Sequence, residues 1–265
     1  MDKGQRTTIC SGALGYLSAH NIKTPHAFTT RLGGVSPAPF DSLNLSMHRG
    51  DTAENVAENF RRLAKAVDFD LQKLVLTRQT HSDIIRRVTA EDARGLDHHT
   101  YPECDGLITN EPGVALWVFT ADCTPVLLHD PVTGAVGAVH AGWRGTAAKI
   151  AAKAVEAMER EFGCKPENIR AAIGPNIAQC CFQTDADVPQ AMLAAVGSRA
   201  EEHIRFKGGK YYVNLKEINR LILRDAGVQN IEISDACTAC SPALFWSHRR
   251  TGKQRGSQGA VIVRR

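Results

Sequence analysis

Three apolar runs, residues 114–120, 125–130 and 135–140, succeed one another with only a few residues between them. Short runs of this kind, rich in valine, leucine and aromatic residues and bounded by turn residues, read as buried strands. Asp130-Pro131-Val132-Thr133-Gly134 supplies turn chemistry. Proline pre-sets the first turn angle and glycine relieves the last, so the second and third runs are expected to pair as a hairpin. Further strands are expected at 169–173, 231–234 and 260–263, and a hairpin or loop at Gly208-Gly209-Lys210. Helices are expected where apolar residues recur every three to four positions. One starts at Asp51, with Glu54 in capping-box spacing, and runs through Val56, Phe60, Leu63 and Val67. Another spans 146–162 and ends at Gly163, and a third runs from Asn214 to a stop at Gly227.

Cys123 falls between the first two strands and His140 ends the third, so both stand where strand ends meet a cleft. His81, in Arg78-Gln79-Thr80-His81, is the third candidate. Two imidazoles and one thiolate would give a Zn²⁺ ion three protein ligands and leave one position for water or substrate. The ligands are 42 and 17 residues apart, so only the fold can assemble them. Structural zinc sites lean instead on short Cys-x-x-Cys knuckles. Asp122 is either a proton carrier for the chemistry or the carboxylate that fixes the turn presenting Cys123. After His140, Ala141-Gly142-Trp143-Arg144-Gly145 leads into the helix expected from Thr146, whose free amides are suited to an anion. Arg31 and Arg144 are candidate contacts for an anionic substrate.

Composition fits a globular protein with a substantial core: 43% of 265 residues are apolar, in keeping with one domain over residues 1–265. Residues 1–25 are expected as an N-terminal extension or a first strand. No stretch has the length of a membrane span, and the N-terminus leads into no apolar signal region, so a cytoplasmic location without membrane contact is expected. The net charge of +4 is mild. The basic residues Arg249, Arg250, Lys253, Arg255, Arg264 and Arg265 lack interleaved aromatics and are expected to be a solvated tail, with no nucleic acid bound. The eight cysteines are expected to be reduced. Cys10, Cys104 and Cys164 read as small core or surface residues. Cys237-Thr238-Ala239-Cys240 is expected in a loop, with no second Cys-x-x-Cys to complete a zinc knuckle, and Cys180-Cys181 stands apart from it in sequence.

Several motifs stand in order along the chain: Gln79-Thr80-His81-Ser82, Thr120-Ala121-Asp122-Cys123-Thr124-Pro125, Ala138-Val139-His140-Ala141-Gly142-Trp143-Arg144-Gly145, Ile173-Gly174-Pro175 with Cys180-Cys181-Phe182, and Phe245-Trp246-Ser247-His248-Arg249-Arg250. Taken together, they resemble the YfiH/YlmD family, also labelled polyphenol oxidase or laccase-domain proteins, which includes the human laccase domain-containing 1. Thr29-Thr30-Arg31-Leu32-Gly33-Gly34 and Ser42-Leu43-Asn44-Leu45 match its N-terminal pattern. The resemblance implies an α+β fold, a single-domain layered sandwich of mixed sheets flanked by helices. It implies one zinc per chain on His81, Cys123 and His140, and purine nucleosides with phosphate as co-substrate. The reactions implied are phosphorolysis of adenosine, inosine, guanosine and methylthioadenosine, and deamination of adenosine. Within those motifs Asn44 and Arg249 are candidate substrate contacts, and Cys237 and Thr238 are expected to line the site. The family usually carries an arginine where this chain has Ser257, so that contact is either missing or supplied by Arg255. A monomer or weak dimer is expected. Other readings are a metal-free cysteine hydrolase with Cys123 as nucleophile, peptidoglycan-precursor editing, a copper polyphenol oxidase, and an interaction module that keeps its metal for stability. The sequence lacks the His-x-His pairs that a laccase needs, which argues against the copper reading.

Overall fold

The computed structural model describes residues 14–265. Cys10 and residues 1–13 of the expected extension lie outside the described residues; just beyond them Tyr16–Leu17 forms a short strand paired with His26–Thr29.

The three apolar runs become strands Ala115–Thr120, Thr124–His129 and Val136–Ala141. The last two form the expected antiparallel hairpin, with Pro125 opposite His140. Its turn is closed by Asp130, whose carboxylate accepts from the Val132 amide at 2.8 Å. Gly134 stands there at a φ of 76°, where a side chain would be strained. The first run goes elsewhere. Ala115–Thr120 lies in a five-stranded sheet ordered Tyr16–Leu17, His26–Thr29, Gln258–Val263, Ala115–Thr120, Leu74–Leu76. The hairpin lies in a six-stranded sheet ordered Asn230–Ile233, Arg170–Ile173, Thr124–His129, Val136–Ala141, Gly106–Thr109, Ile85–Arg87. A small third sheet holds Gln183–Thr184, Lys210–Val213 and Ile204–Lys207, the last two forming the hairpin expected at Gly208-Gly209.

Strand alternation explains why both neighbours of the six-stranded sheet are apolar. Along Thr124–His129, Leu127 points into a core shared with Leu116, Val118 and Val261 of the other sheet. Val126 and Leu128 point into a second core beneath the helices Ile150–Phe162, Asp187–Val196 and Leu215–Asp225. Helix Ala53–Val67 covers the outer face of the five-stranded sheet, where the Phe60 ring lies edge-on to Trp117 at 5.3 Å. The result is the expected layered α+β sandwich, helix on sheet on sheet on helices. Among the described residues no helix is long and apolar enough to cross a membrane.

Two helix starts differ from expectation. Thr52, not Asp51, is the N-cap of Ala53–Val67, its hydroxyl accepting from the Asn55 amide. The Asp51 carboxylate is drawn away by Ser36 at 2.6 Å and Asn44 at 3.0 Å. The helix expected over 146–162 is two helices, Trp143–Ala147 and Ile150–Phe162. Lys149, at a φ of 58°, turns the chain between them so that Ile150, Ala154 and Met158 reach the second core. Asn214 and Gly227 bound the third helix as expected, the asparagine side chain accepting from the Glu217 amide.

Candidate metal centre and substrate pocket

Crossing from one large sheet to the other takes three residues, Ala121, Asp122 and Cys123. Asp122 makes the tight bend at a φ of 93° and so sets Cys123 at the common end of both sheets. His140 reaches the same place from the neighbouring strand. His81 arrives on the loop after Leu74–Leu76, in a left-handed conformation with a φ of 61°. The structure therefore brings together the three residues that sequence keeps far apart. One ligating atom from each lies within 4.8 Å of the others, and Cys123 Sγ is 3.9 Å from His81 Nε2. His140 is buried, Cys123 half-buried and His81 exposed, so the group opens outward on one side.

What holds the group is Asp105, a residue that motif reasoning missed. Its fully buried carboxylate accepts from the amides of Thr80 (3.1 Å), His81 (3.1 Å) and Ser82 (2.8 Å), from the Ser82 hydroxyl (2.7 Å) and from His140 Nδ1 (2.7 Å). One carboxylate thus fixes the strained His81 turn and orients the His140 ring. With Nδ1 taken, the other nitrogen of His140 is the one free to bind a metal, the arrangement that outer hydrogen bonds impose on metal-binding histidines. Burial disfavours the Asp105 carboxylate, yet its bonds to His140 and Ser82 hold it down at about 2. Burial likewise opposes the Cys123 thiolate, but His140 and His81 outweigh it and lower the thiol to about 6. Thiolate is the form that binds metal. Two imidazoles and a thiolate, buttressed by a buried carboxylate, fit a zinc-type ion with a vacant coordination position.

Gly142 completes the cradle. A Cβ there would lie 2.9 Å from His81 Cδ2 and 3.3 Å from Cys123 Sγ, so only glycine lets the chain pass this close to the two side chains. Gly142→Ala is expected to weaken metal binding about tenfold, because ligands must be held to within roughly 0.5 Å, while thermal unfolding changes little. Competition for metal with a chromophoric chelator checks this, and wild-type affinity in the variant would refute it.

His81, Cys123 and His140 form one wall of a cavity of about 480 Å³. Phe119, Ile177 and Phe182 give it apolar walls, and Arg49, Arg249, Lys253 and Arg255 line it with positive charge. The expected solvated tail is therefore wrong for this stretch: the chain turns back, and Arg255 is only 7% exposed. Arg255 Nη1 donates to the Gly256 carbonyl and the Ser257 hydroxyl, while its buried Nε has no hydrogen-bond partner. Arg255 thus lines the pocket as a buried guanidinium with one donor left unpaired, which makes it a candidate for an anion contact.

The other expected contacts divide. Arg249 lines the pocket, braced by carbonyls of Cys181 (2.8 Å) and Gln183 (2.9 Å). Arg31 does not line it: its guanidinium stacks on Trp246 at 3.8 Å and donates to the carbonyls of Asp41 and Pro242, which makes it a strut. Asn44 is fully buried and bonded to Ser46, Asp51 and Ser257. Arg144 is exposed and folds over its neighbour Trp143. The helix start offered for an anion also shifts, since the helix begins at Trp143 and is only 5 residues long. Asp122 has its carboxylate taken by Thr238 Oγ1 (2.6 Å), Ser247 Oγ (3.0 Å) and the Arg249 amide (2.6 Å). This is the turn-fixing alternative for Asp122, extended to two distant segments of wall. Neither Cys237 nor Thr238 lines the cavity as expected; Thr238 bears on its wall only through that bond to Asp122. A second histidine group stands at the pocket's edge, where the fold adds His48 to the His98-His99 pair and His98 lines the cavity.

The sequence profile of the family described as Multi-copper polyphenol oxidoreductase laccase matches residues 25–265. A Bacillus subtilis protein named purine nucleoside phosphorylase YlmD is 39% identical over 248 residues, covering 92% of this chain and 89% of that protein. Its namesake in Geobacillus stearothermophilus is 41% identical over 244 residues, covering 89% of each. The crystal structure of YlmD from Geobacillus stearothermophilus matches with a TM-score of 0.91 at 38% identity, covering 98% of this chain and 100% of that one.

Proposed function

The chain belongs to the multi-copper polyphenol oxidoreductase laccase family, and from that premise we propose that it is a zinc-dependent purine nucleoside phosphorylase. The relatives' names supply the reaction class. The observation that carries the reading is the meeting, in one cavity, of a three-ligand metal centre with a buried, unpaired donor on Arg255. Zinc bound to His81, Cys123 and His140 supplies Lewis acidity at one wall of the pocket. A cavity of about 480 Å³ accommodates a nucleoside with phosphate, and Phe119 and Phe182 offer apolar surface to a purine.

In this reading phosphate is held by Arg255, Arg49 and Lys253. An oxygen of hydrogen phosphate bonds to C1′ of the ribose as the bond from C1′ to the purine nitrogen breaks, and the proton that the phosphate gives up leaves on the purine. Cations aimed at the phosphate stabilise the charge that shifts during that exchange. Arg255 also stands beside Ser257, so it supplies the guanidinium that the family usually places at that position. Adenosine, inosine, guanosine and methylthioadenosine are the substrates proposed, with adenosine deamination as a second reaction at the same centre. Asp122 acts as a positioning residue that holds Thr238 and the 247–249 segment against the pocket.

Arg255→Met is expected to raise KM for phosphate by about 10- to 100-fold, the equivalent of a hydrogen bond to a charged group worth roughly 1.5–3 kcal/mol. KM for the nucleoside should change little. Phosphate titrations of both proteins decide it, and an unchanged phosphate KM would remove Arg255 from the role.

One observation favours a second reading. The chain of contacts from Cys123 to His140 to Asp105 also suits a thiolate nucleophile with an oriented base. Metal analysis with chelator treatment separates the two. Zinc bound at His81, Cys123 and His140 with activity lost to chelator supports the phosphorylase. Chelator-resistant activity abolished by alkylating Cys123 supports the hydrolase, and bound copper in place of zinc would revive the oxidase.

A further inference from the structure

The fold brings a second group of metal-binding side chains together, away from the centre described above. Cys180 and Cys181 lie in the turn before strand Gln183–Thr184, and Cys237 and Cys240 lie in the loop after strand Asn230–Ile233. Their sulfurs are 3.7 Å apart for Cys180–Cys181, 3.8 Å for Cys180–Cys237, 3.6 Å for Cys180–Cys240 and 3.3 Å for Cys181–Cys240. All four lie within 4.8 Å of one another. Four sulfurs bound tetrahedrally to zinc at about 2.3 Å stand about 3.8 Å from each other. The single Cys-x-x-Cys that looked incomplete in sequence is completed in space by the vicinal pair. We propose that Cys180, Cys181, Cys237 and Cys240 form a structural zinc site, separate from the His81, Cys123 and His140 centre.

Two surrounding features suit that ion. Four thiolates around one Zn²⁺ carry a net charge of −2, which calls for nearby donors and cations. The Ala178 amide donates to Cys237 Sγ at 3.3 Å. Lys216, buried at 5% exposure, donates its ammonium to the carbonyls of Ser234 (2.5 Å) and Ala236 (2.8 Å), at the entrance to the Cys237 loop. A buried ammonium bonded to carbonyls rather than to a carboxylate gains from an anionic cluster close by. Binding replaces four S–H bonds with four S–Zn bonds, and the protons leave to solvent; no electrons are exchanged.

The site clamps the two segments that frame the pocket. Ile177 and Phe182, on either side of the vicinal pair, line the cavity. Thr238, beside Cys237, anchors Asp122, and the Cys181 carbonyl braces Arg249. Closed four-ligand sites are structural, in contrast to the open three-ligand centre.

Metal content and cobalt spectra test the proposal on the full-length protein reconstituted under reducing conditions. The wild type is expected to hold two zinc ions per chain, Cys240→Ser one and Cys123→Ala one. Cobalt substituted into Cys123→Ala should give the intense sulfur-to-metal absorption of a tetrathiolate, which reads the cluster alone and does not depend on Cys240→Ser folding. Combining the two substitutions should abolish that absorption. One zinc per chain in both wild type and Cys240→Ser, or a Cys123→Ala protein that takes up no cobalt after full reduction, would overturn it.

Discussion

Replacing Cys123 with alanine is expected to remove the metal from the centre it shares with His81 and His140 and to lower phosphorolysis by on the order of 10³-fold or more. A bound zinc contributes several kcal/mol of charge stabilisation, and each 1.36 kcal/mol is about a factor of ten in rate. With the thiolate gone, two imidazoles remain, and one of them, His81, is exposed on a loop. The fold should survive. Cys123 is half-buried at a strand end, outside both main cores, and the bend that presents it is fixed by Asp122 and not by the thiol. Metal content, circular dichroism and turnover measured on the same preparation separate a lost centre from a lost fold. Undiminished turnover by a variant lacking that metal would remove the metal from the mechanism.

Asp105→Asn is expected to do broader damage. The carboxylate accepts five hydrogen bonds, three from consecutive backbone amides, one from a hydroxyl and one from His140. An amide of the same shape offers one accepting oxygen, and its NH₂ group would face donors. Each buried polar group left unpaired costs about 1–3 kcal/mol, so the loss should reach roughly 3–5 kcal/mol, a large share of the 5–15 kcal/mol typical of whole domains. Metal affinity should fall by about 10- to 100-fold as His140 loses its orientation and the His81 turn relaxes. Urea unfolding and metal titration measure the two effects. A stability change under about 1 kcal/mol with normal metal binding would mean that the carboxylate is not what organises the centre.

The contrast between these two residues shows which parts of the site could be read in sequence. Cys123 and His140 were legible because one falls between two strands and the other at the end of a third, all with strong local apolar patterns, and because both stand in motifs that resemble a known family. Asp105 carried no such mark: its partners are Thr80, His81, Ser82 and His140, and only the pairing of strand Gly106–Thr109 with Val136–Ala141 brings them to it. Its one visible signal is an acid placed directly before an apolar strand.

The same distinction applies to the cations. Arg31 and Arg144 stand in conspicuous motifs, but stacking on Trp246 and Trp143 takes them away from the pocket. Arg255 stood in a run that looked like a solvated end, and it is the pairing of Gln258–Val263 between two other strands that pulls it inward. The split of the 146–162 helix was likewise invisible, because an unmarked lysine, Lys149, takes the left-handed turn. Strand pairing across a long sequence separation decides the place of Arg255, side-chain stacking that of Arg31 and Arg144, and a single backbone turn that of the helix break, whereas periodicity reports only on apolar spacing.

The most direct test is inosine cleavage followed in zinc-depleted protein and again after zinc is restored, each with and without phosphate. The expected result is hypoxanthine released together with ribose 1-phosphate only when zinc and phosphate are both present. Cleavage that proceeds without phosphate, or that is indifferent to zinc, would contradict the account.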